Sequence, residues 1–266
     1  MSVLAEIVSA TRADVARLRS QTPLADLQVA AEKRLHQRPP LDVLSSLRTS
    51  DVSVIAEVKR RSPSAGQLAE IAQPAVLASQ YEAGGASMVS VLTEPQWFHG
   101  SIHDLEAVRE VVHLPVLRKD FIIDEWQVIQ ACAAGADAVL LIVAALSEDE
   151  LQQLLTCVEH WGMTALVEVH DELQAAQAAK AGAVVIGVNA RNLDTLQVEA
   201  ATFERVVHSL PDTCVKVAES GLRSAEDVAR VVRAGADAVL IGQALVQSHD
   251  PAELISQMKE AARGAR

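Results

Sequence analysis

The chain has 266 residues, of which 50% are apolar and 22% are charged, as in an ordinary globular protein. It contains 23 Lys and Arg against 35 Asp and Glu, a net charge of −12, and only 3% of its residues are aromatic. Nucleic acids and anionic membranes bind basic surfaces, and single strands also need aromatic platforms, so this composition excludes nucleic acid as the leading partner.

The first 50 residues contain two helical patterns, Val3–Arg19 and Leu24–Leu35, followed by a break at Arg38–Pro40. We expect a helical extension over residues 1–50 that packs on one end of the remaining structure. No low-complexity linker divides the chain, so we expect residues 1–266 to form a single domain. Charged residues at positions 6, 12 and 14 argue against a signal peptide.

The longest apolar run, Ala138–Leu146, is far shorter than the roughly 20 residues that span a bilayer. The three cysteines, Cys132, Cys157 and Cys214, are widely spaced in apolar or helical segments, which is typical of buried thiols in a reducing compartment. We therefore expect a cytoplasmic protein without membrane contact. No further domain is expected at either end of the chain, which predicts a monofunctional protein.

Beyond the extension, four segments resemble one another, and in each an apolar strand follows a helix that ends at a glycine. These segments are Ala83–Leu92, Ala134–Ile142, Ala181–Val188 and Ala234–Gly242. We expect their leading glycines to adopt the left-handed conformation that ends many helices. The leading glycines are Gly84, Gly135, Gly182 and Gly235.

Four more apolar strands alternate with these segments, and helical patterns fill the gaps. The strands are Val52–Lys59, Leu114–Lys119, Thr164–Val169 and Cys214–Glu219, and helices include Glu148–His160, Asp171–Ala179, Ala225–Val232 and Pro251–Ala262. Strands that alternate with helices form a parallel sheet covered by helices. Eight units of about 25 residues predict an α/β fold of the (β/α)8 TIM-barrel type, because a doubly wound sheet more often has five or six strands.

Several of these strands are apolar at the start and polar at the carboxyl end. Because side chains alternate across a strand, the polar residues share the inward face with apolar ones. The inward polar residues are Glu57, Lys59, Lys119, Glu168, Asn189 and Glu219. Inward charges are costly unless they are paired or used, so solvated strand ends are a poor explanation for the whole set. The pattern predicts an acid–base site at the rim where barrel enzymes carry out their chemistry.

Two glycine-containing turns indicate a phosphate site. Ser220–Gly221 follows the seventh strand and Gly242–Gln243 follows the eighth, and backbone N–H groups of these two loops commonly bind phosphate in such barrels. Glycine also serves any tight turn, so this signal alone is weak. In an acidic chain an anion needs local positive charge, which Lys59, Lys119 and Arg191 can supply.

The segment Arg60–Leu68 follows the first strand and predicts either a mobile lid over the barrel mouth or a plain solvated loop. His99 and His103 have the spacing of a metal-binding pair, but Gly100 lies between them near a helix start, which disfavours a metal site. The sequence has no dinucleotide-binding glycine motif, P-loop or hydrolase elbow. We expect neither a metal nor an organic cofactor.

Six stretches, in order along nearly the whole chain, closely resemble the indole-3-glycerol phosphate synthase family of tryptophan biosynthesis. They are Glu57–Ser64 (EVKRRSPS), Leu92–Glu94 with Phe98–Ser101 (LTE, FHGS), Leu117–Phe121 (LRKDF), Ala165–His170 (ALVEVH), Gly187–Leu193 (GVNARNL) and Val217–Gly221 (VAESG). Each stretch alone is modest evidence, whereas all six in register are highly specific. The resemblance implies a (β/α)8-barrel carboxy-lyase that acts on a phosphorylated, anionic small molecule.

The reaction implied by this resemblance converts 1-(2-carboxyphenylamino)-1-deoxyribulose 5-phosphate to indole-3-glycerol phosphate, carbon dioxide and water. By resemblance, Lys119 is the general acid for the ketone oxygen. Lys59 is implied to position the carboxylate and is a candidate for the acid that expels water. The base is Glu168 or Glu57. The sequence does not separate the two lysine roles or the two glutamate roles.

The resemblance also implies supporting roles around this centre. Asn189 and Glu219 would orient the ribulose hydroxyls and the lysines, and Arg191 would assist the carboxylate. The implied phosphate site comprises Ser62, Ser220, Gly221, Gly242 and Gln243, and the implied apolar walls for the anthranilate ring are Phe98, Phe121, Leu140 and Leu196. Gln243–Ala244 departs from the family pattern, in which a small residue is expected. The departure puts a side-chain contact with phosphate in doubt, but leaves a contact through the backbone N–H untouched.

Two alternatives remain. A phosphoribosyl anthranilate isomerase is also a phosphate-handling barrel, but its chemistry often uses Cys and Asp at strand ends, and here no Cys ends a strand. A non-catalytic binding protein would keep the pocket without turnover, although every acid and base position is intact. We expect a monomer or weak homo-oligomer.

Overall fold

The computed structural model describes residues 2–265. Within them, eight parallel strands close into a barrel in which each strand pairs with its neighbours along the chain and the last pairs with the first. The strands are β1 (Ser53–Val58), β2 (Met88–Leu92), β3 (Val116–Lys119), β4 (Ala138–Ile142), β5 (Thr164–Val169), β6 (Val185–Asn189), β7 (Val215–Glu219) and β8 (Ala238–Ile241). The predicted (β/α)8 barrel is confirmed.

Alternation along the strands divides the apolar core into two parts. Inward residues such as Ile55, Leu117, Leu166 and Val217 form one buried cluster inside the barrel. Residues between them, such as Ala56, pack beneath the surrounding helices. The polar residues at the strand ends continue the inward series, because they lie two positions beyond its apolar members.

Three helices precede the barrel: α1 (Val3–Gln21), α2 (Leu24–Gln37) and α3 (Val43–Leu47). Helix α1 crosses the carboxyl-terminal end of the barrel, where Leu4 and Ile7 join the interior cluster. Helix α3 lies at the opposite end, where the Leu47 carbonyl accepts a hydrogen bond from Ser53 at the start of β1. The extension therefore reaches both ends of the barrel, whereas the sequence predicted cover at one end.

Several outer helices begin at capping residues that their sequences supply. The side chains of Ser101, Asp124, Ser147, Asp171 and Ser224 each accept a hydrogen bond from a backbone N–H of the first helical turn. The helices are α4 (Pro74–Ala83), α5 (Ile102–Val111), α6 (Glu125–Ala133), α7 (Glu148–His160), α8 (Glu172–Lys180), α9 (Thr202–Val206), α10 (Ala225–Arg233), α11 (Gln243–Val246) and α12 (Pro251–Arg263), with 3-10 turns at Val143–Ala145 and Val207–Ser209.

A buried ion cluster fixes α2 to the barrel. Asp137, just before β4, accepts hydrogen bonds from Arg34 of α2 at 2.9 Å and from Arg109 of α5 at 2.6 Å. Its oxygens also accept the backbone N–H groups of Leu41 and Val116. A buried carboxylate is stable only with such donors, so Asp137 determines where the extension meets the barrel.

Glycines end the helices as predicted in three of the four similar segments. Gly135, Gly182 and Gly235 have φ angles of 95°, 87° and 108°. In the first segment the expectation was wrong, because Gly85 has the positive φ (84°) and Gly84 has a φ of −74°. Gly84 is required for a different reason: a Cβ there would lie 2.6 Å from a backbone carbon of α12.

The remaining sequence expectations concern membrane contact and the thiols. Within residues 2–265, no helix combines the length and the apolar character needed to cross a bilayer. All three cysteines are free, with Cys132 and Cys214 buried and Cys157 partly buried. The thiols are therefore packing groups, as their sequence context predicted.

Candidate active site

Charged residues from four strand ends meet inside the carboxyl-terminal rim of the barrel. Lys119 Nζ lies 3.3 Å from Glu168 Oε2 and 3.5 Å from Glu219 Oε2. Lys59, directly after β1, donates to Glu57 Oε1 at 2.9 Å. Glu57, Glu168 and Glu219 are all buried. The inward charges thus form one paired cluster, which is the arrangement that low-dielectric surroundings require.

Glu168 has polar neighbours on three sides. Besides facing Lys119, it accepts a hydrogen bond from the Asn189 amide at 3.0 Å. His170 Nε2 lies 3.4 Å from Glu168 Oε1, and this buried nitrogen has no hydrogen-bond partner within residues 2–265. Sequence analysis assigned His170 no role, because the direction of a side chain just beyond a strand end does not follow from strand alternation.

Burial and neighbouring charges set the ionisation of the cluster. Burial alone would lower the pKa of Lys119, but the charges of Glu168 and Glu219 outweigh it and raise that pKa. Burial raises the pKa of Glu219 to about 8 in spite of Lys119. Burial also opposes ionisation of Glu168, yet the charges of Lys119 and His170 leave its pKa below the usual value. The cluster therefore sets a charged Lys119 against an ionised Glu168, while burial shifts Glu219 toward its neutral form.

Two glycines leave room for these carboxylates. A Cβ on Gly187 would lie 2.0 Å from Glu219 Oε1, and one on Gly242 would lie 2.5 Å from Glu57 Oε1. Both distances are well below ordinary van der Waals contact. The inward position of Gly187 on β6 was predicted, and its missing side chain is what allows the Glu219 carboxylate to occupy the barrel interior.

An apolar pocket adjoins the charged cluster. Four predicted wall residues line it: Phe98, Phe121, Leu140 and Leu196. The rings of Phe98 and Phe121 are 6.2 Å apart, and Lys59 Nζ is 5.8 Å from the centre of the Phe98 ring. Helix α1 adds walls that sequence analysis missed, namely Val3, Leu4 and Ile7. An aromatic ring bound here would lie beside both lysines, because Lys59 and Lys119 line the same pocket.

A polar pocket adjoins the same two lysines. The five predicted phosphate-site residues line it: Ser62, Ser220, Gly221, Gly242 and Gln243. Arg191 and Arg223 line it as well, and Arg223 was not predicted. Burial lowers the pKa of Arg191, and the charge of Arg223 lowers it further. Two guanidinium groups this close give the pocket a positive potential that favours an anion.

The Gln243 side chain lies along α11, where its amide donates to Gln247 at 3.4 Å. This orientation matters because Gln243–Ala244 departs from the family pattern, in which a small residue is expected. A side chain engaged along the helix leaves the backbone N–H of Gln243 as its means of binding an anion.

The segment after β1 is a folded hairpin. Arg61–Ser62 pairs with Gly66–Gln67 in antiparallel fashion. Ser64 Oγ accepts a hydrogen bond from Arg191 at 2.9 Å, and Arg60 pairs with Asp104. These contacts place the hairpin over the pocket mouth and distinguish it from a plain solvated loop. That it opens and closes as a lid stays a prediction.

Within the described part of the chain, no group of three or more His, Cys, Asp or Glu side chains is placed to hold a metal ion. His103 is exposed and contacts Glu106 at 2.8 Å. His99 Nε2 lies 3.1 Å from Arg61 instead.

A closed parallel barrel with partly buried lysines paired to buried glutamates inside its carboxyl-terminal rim defines the class of (β/α)8-barrel enzymes. The family model described as "Indole-3-glycerol phosphate synthase" matches residues 4–258. The chain belongs to this family, and the resemblance seen in the sequence is confirmed.

Individual relatives agree with the family match. The chain is 53% identical over 258 residues to the indole-3-glycerol phosphate synthase of Nocardioides sp., an alignment covering 97% of this chain and 98% of that protein. It is 52% identical over 258 residues to indole-3-glycerol phosphate synthase 1 of Streptomyces coelicolor, covering 97% and 95% of the two chains.

Similar solved structures share the fold at low sequence identity. The 3-hexulose-6-phosphate synthase of Salmonella typhimurium superposes with a TM-score of 0.65 at 14% identity, covering 81% of this chain and 100% of that one. The thiamine phosphate pyrophosphorylase of Pyrococcus furiosus has a TM-score of 0.62 at 14% identity, covering 84% and 99%. At this identity the two structures support the barrel fold alone.

Proposed function

We propose that the chain converts 1-(2-carboxyphenylamino)-1-deoxyribulose 5-phosphate to indole-3-glycerol phosphate, carbon dioxide and water. The strongest support is that the acid–base residues border two pockets of different character. The acid–base cluster lines both an apolar pocket and a polar pocket that contains two arginines. This arrangement suits a molecule with an aryl ring at one end, a phosphate at the other and the reacting atoms between them.

The first step is ring closure, in which Lys119 is the general acid. The ring carbon that bears the carboxylate attacks the ketone carbon, and negative charge develops on the ketone oxygen. The raised pKa of Lys119 keeps its proton in place until an alkoxide, a stronger base than an amine, forms beside it. A well-placed acid of this kind contributes roughly 10²–10⁴-fold in rate. The bond to the carboxylate then breaks, its electrons restore the aromatic ring, and carbon dioxide leaves.

The second step is loss of water, in which Lys59 is the acid and Glu168 is the base. Lys59, held by Glu57 at 2.9 Å, protonates the hydroxyl so that it leaves as water. Glu168 is ionised at neutral pH and takes a proton from the methylene carbon next to the nitrogen. Lys119 and Lys59 each donate one proton and Glu168 removes one, so each turnover takes up one proton from solvent.

The remaining polar residues hold the substrate. Glu219, whose pKa is raised by burial, and Asn189 orient the hydroxyls and the lysines. The phosphate is bound by Ser62, Ser220, Gly221, Gly242 and Gln243. Arg191 and Arg223 supply the positive charge of this pocket, which compensates for the acidic net charge of the chain.

The test is to mix the purified chain with the carboxyphenylamino-deoxyribulose phosphate and follow indole fluorescence without added metal. Lys119→Ala is expected to lose nearly all turnover and to keep most of its substrate binding, because Lys119 acts in proton transfer. The matched control is Lys180→Ala, which removes an exposed ammonium that pairs with Glu148. It should retain wild-type activity.

Each other outcome counts against part of the proposal. Activity of Lys119→Ala within about tenfold of wild type would contradict the assignment of the acid. Binding without any fluorescence in wild type would favour a non-catalytic protein. Neither binding nor turnover, together with isomerisation of phosphoribosyl anthranilate, would identify the alternative enzyme.

A further inference from the structure

The loop formed by residues 94–100 after β2, here called the Glu94 loop, closes around one buried carboxylate. Glu94 Oε1 accepts the N–H of Gln96 at 2.8 Å, and Oε2 accepts the N–H groups of Trp97 at 2.7 Å and Phe98 at 3.0 Å. The carbonyl of Glu94 also accepts the N–H of Gly100 at 2.8 Å. A single residue thus bonds four backbone N–H groups of the loop that it begins.

The loop combines a buried carboxylate with a tightly constrained backbone. Glu94 is only 4% exposed, and burial raises its pKa although the three N–H donors act in the opposite direction. His99 has a φ of 55°, which is uncommon for a residue with a side chain. A Cβ on Gly100 would lie 2.1 Å from the Leu92 carbonyl oxygen, so the loop returns tightly against β2.

The anchored backbone leads directly to the apolar pocket. Phe98, whose N–H is one of the three bound by the carboxylate, lines that pocket opposite Phe121 and next to Lys59. A ring can form a fixed wall only where its backbone is fixed, since its own side-chain bonds rotate. The pocket wall at Phe98 therefore depends on a residue that does not itself line that pocket.

We propose that Glu94 is a positioning residue for the aryl end of the substrate: its carboxylate holds the backbone of Phe98 so that the ring forms one wall of the apolar pocket. This inference rests on the proposed function, because that function places an aryl ring in the pocket. Glu94 acts through Phe98 and touches no reacting atom.

The test is Glu94→Gln. An amide keeps one acceptor oxygen and turns an NH2 group toward a backbone N–H, so at least one charge-assisted hydrogen bond is lost. We expect KM for the carboxyphenylamino-deoxyribulose phosphate and Kd for indole-3-glycerol phosphate to rise about tenfold, with kcat within about twofold of wild type. In a Phe98→Ala background the same substitution should change neither constant, because the wall that it positions is gone.

The control is Asp42→Asn, which also converts a capping carboxylate to an amide but lies before α3, at the opposite end of the barrel. It should leave KM and Kd unchanged. Hydrogen exchange provides a readout that does not depend on catalysis: the amides of Gln96, Trp97 and Phe98 should exchange faster in Glu94→Gln than in wild type. If Glu94→Gln does not fold, Glu94→Asp, which keeps the charge and shortens the reach, should show the same changes to a smaller degree.

Two results would overturn the inference. One is a KM and Kd within about twofold of wild type in Glu94→Gln with faster exchange of the loop amides, because the loop would then loosen without affecting binding. The other is an equally large effect in the Phe98→Ala background. Failure of the proposed function is a separate result, recognised when wild type neither turns over the substrate nor binds indole-3-glycerol phosphate.

Discussion

Gly187→Ala places a methyl group where the Glu219 carboxylate now lies. The added Cβ would be 2.0 Å from Glu219 Oε1, and ordinary contact begins at 3.4 Å, so the carboxylate must move by about 1.4 Å. Gly187 lies in a strand, where alanine is at least as favourable as glycine, so the backbone itself does not oppose the change. The displacement would break the 3.5 Å contact between Glu219 and Lys119. A misplacement of about 1 Å in a catalytic group costs about 10²-fold, and we expect kcat to fall by about this factor.

The assay is the initial rate of indole fluorescence, measured with thermal unfolding of the same samples. Gly182→Ala is the control: its φ of 87° makes alanine strained, but nothing lies within 4 Å of the added Cβ. It should lose about 1–2 kcal/mol of stability and keep its kcat. Adding Glu219→Asp to Gly187→Ala shortens the displaced side chain and should recover part of the lost rate. A Gly187→Ala enzyme with kcat within about threefold of wild type would refute the argument.

Three further predictions concern charge. Burial raises the pKa of Glu219 to about 8 in the folded state, against an ordinary 4.5. The folded protein therefore holds a proton that the unfolded chain loses, and wild type should lose stability as pH rises from 5 to 8, by at most about 1.4 kcal/mol per pH unit. In urea unfolding, Glu219→Gln should flatten this pH dependence. Arg223→Ala removes a cation from the polar pocket and should weaken substrate binding about tenfold with little change in kcat. Steady-state kinetics would measure both constants, and an unchanged KM would exclude Arg223 from phosphate binding. Asp137→Asn leaves Arg34 and Arg109 buried without a counter-charge and should cost about 3–5 kcal/mol in urea unfolding, while a loss below about 1 kcal/mol would show that the arginines find other partners.

The charged cluster could be predicted because strand geometry is strictly periodic. Two-residue alternation places Glu57, Lys119, Glu168 and Glu219 on the inward face, and parallel strands end at the same rim. Once the barrel was predicted, these side chains had to meet, and Lys119 is indeed within 3.5 Å of two of the glutamates. The assignment of their chemical roles came from the family resemblance and not from this periodicity.

The residues that were missed depend on long-range packing. A helical pattern shows that α1 buries one face, but the surface that it covers is decided by the rest of the barrel, so Val3, Leu4 and Ile7 were not assigned to the pocket. Arg223 follows Ser220 and Gly221, whose positive φ angles of 67° and 76° set the course of the loop. Neither angle follows from residue type alone. Between Gly84 and Gly85, the approach of α12 decides which glycine ends the helix.

Because helix α1 contributes to the pocket, substrate binding requires both the first and the last segments to be synthesised. Val3 lines the apolar pocket and Gln243 lines the polar one, so the complete site requires segments about 240 residues apart in sequence. A nascent chain that lacks β8 cannot form it, and neither can a partly folded state with the barrel open. Binding therefore reports on the fully closed protein, and bound substrate should stabilise the whole fold by RT ln(1 + [L]/Kd). During synthesis, the ligand can bind and stabilise the chain only after the last strand has paired with the first.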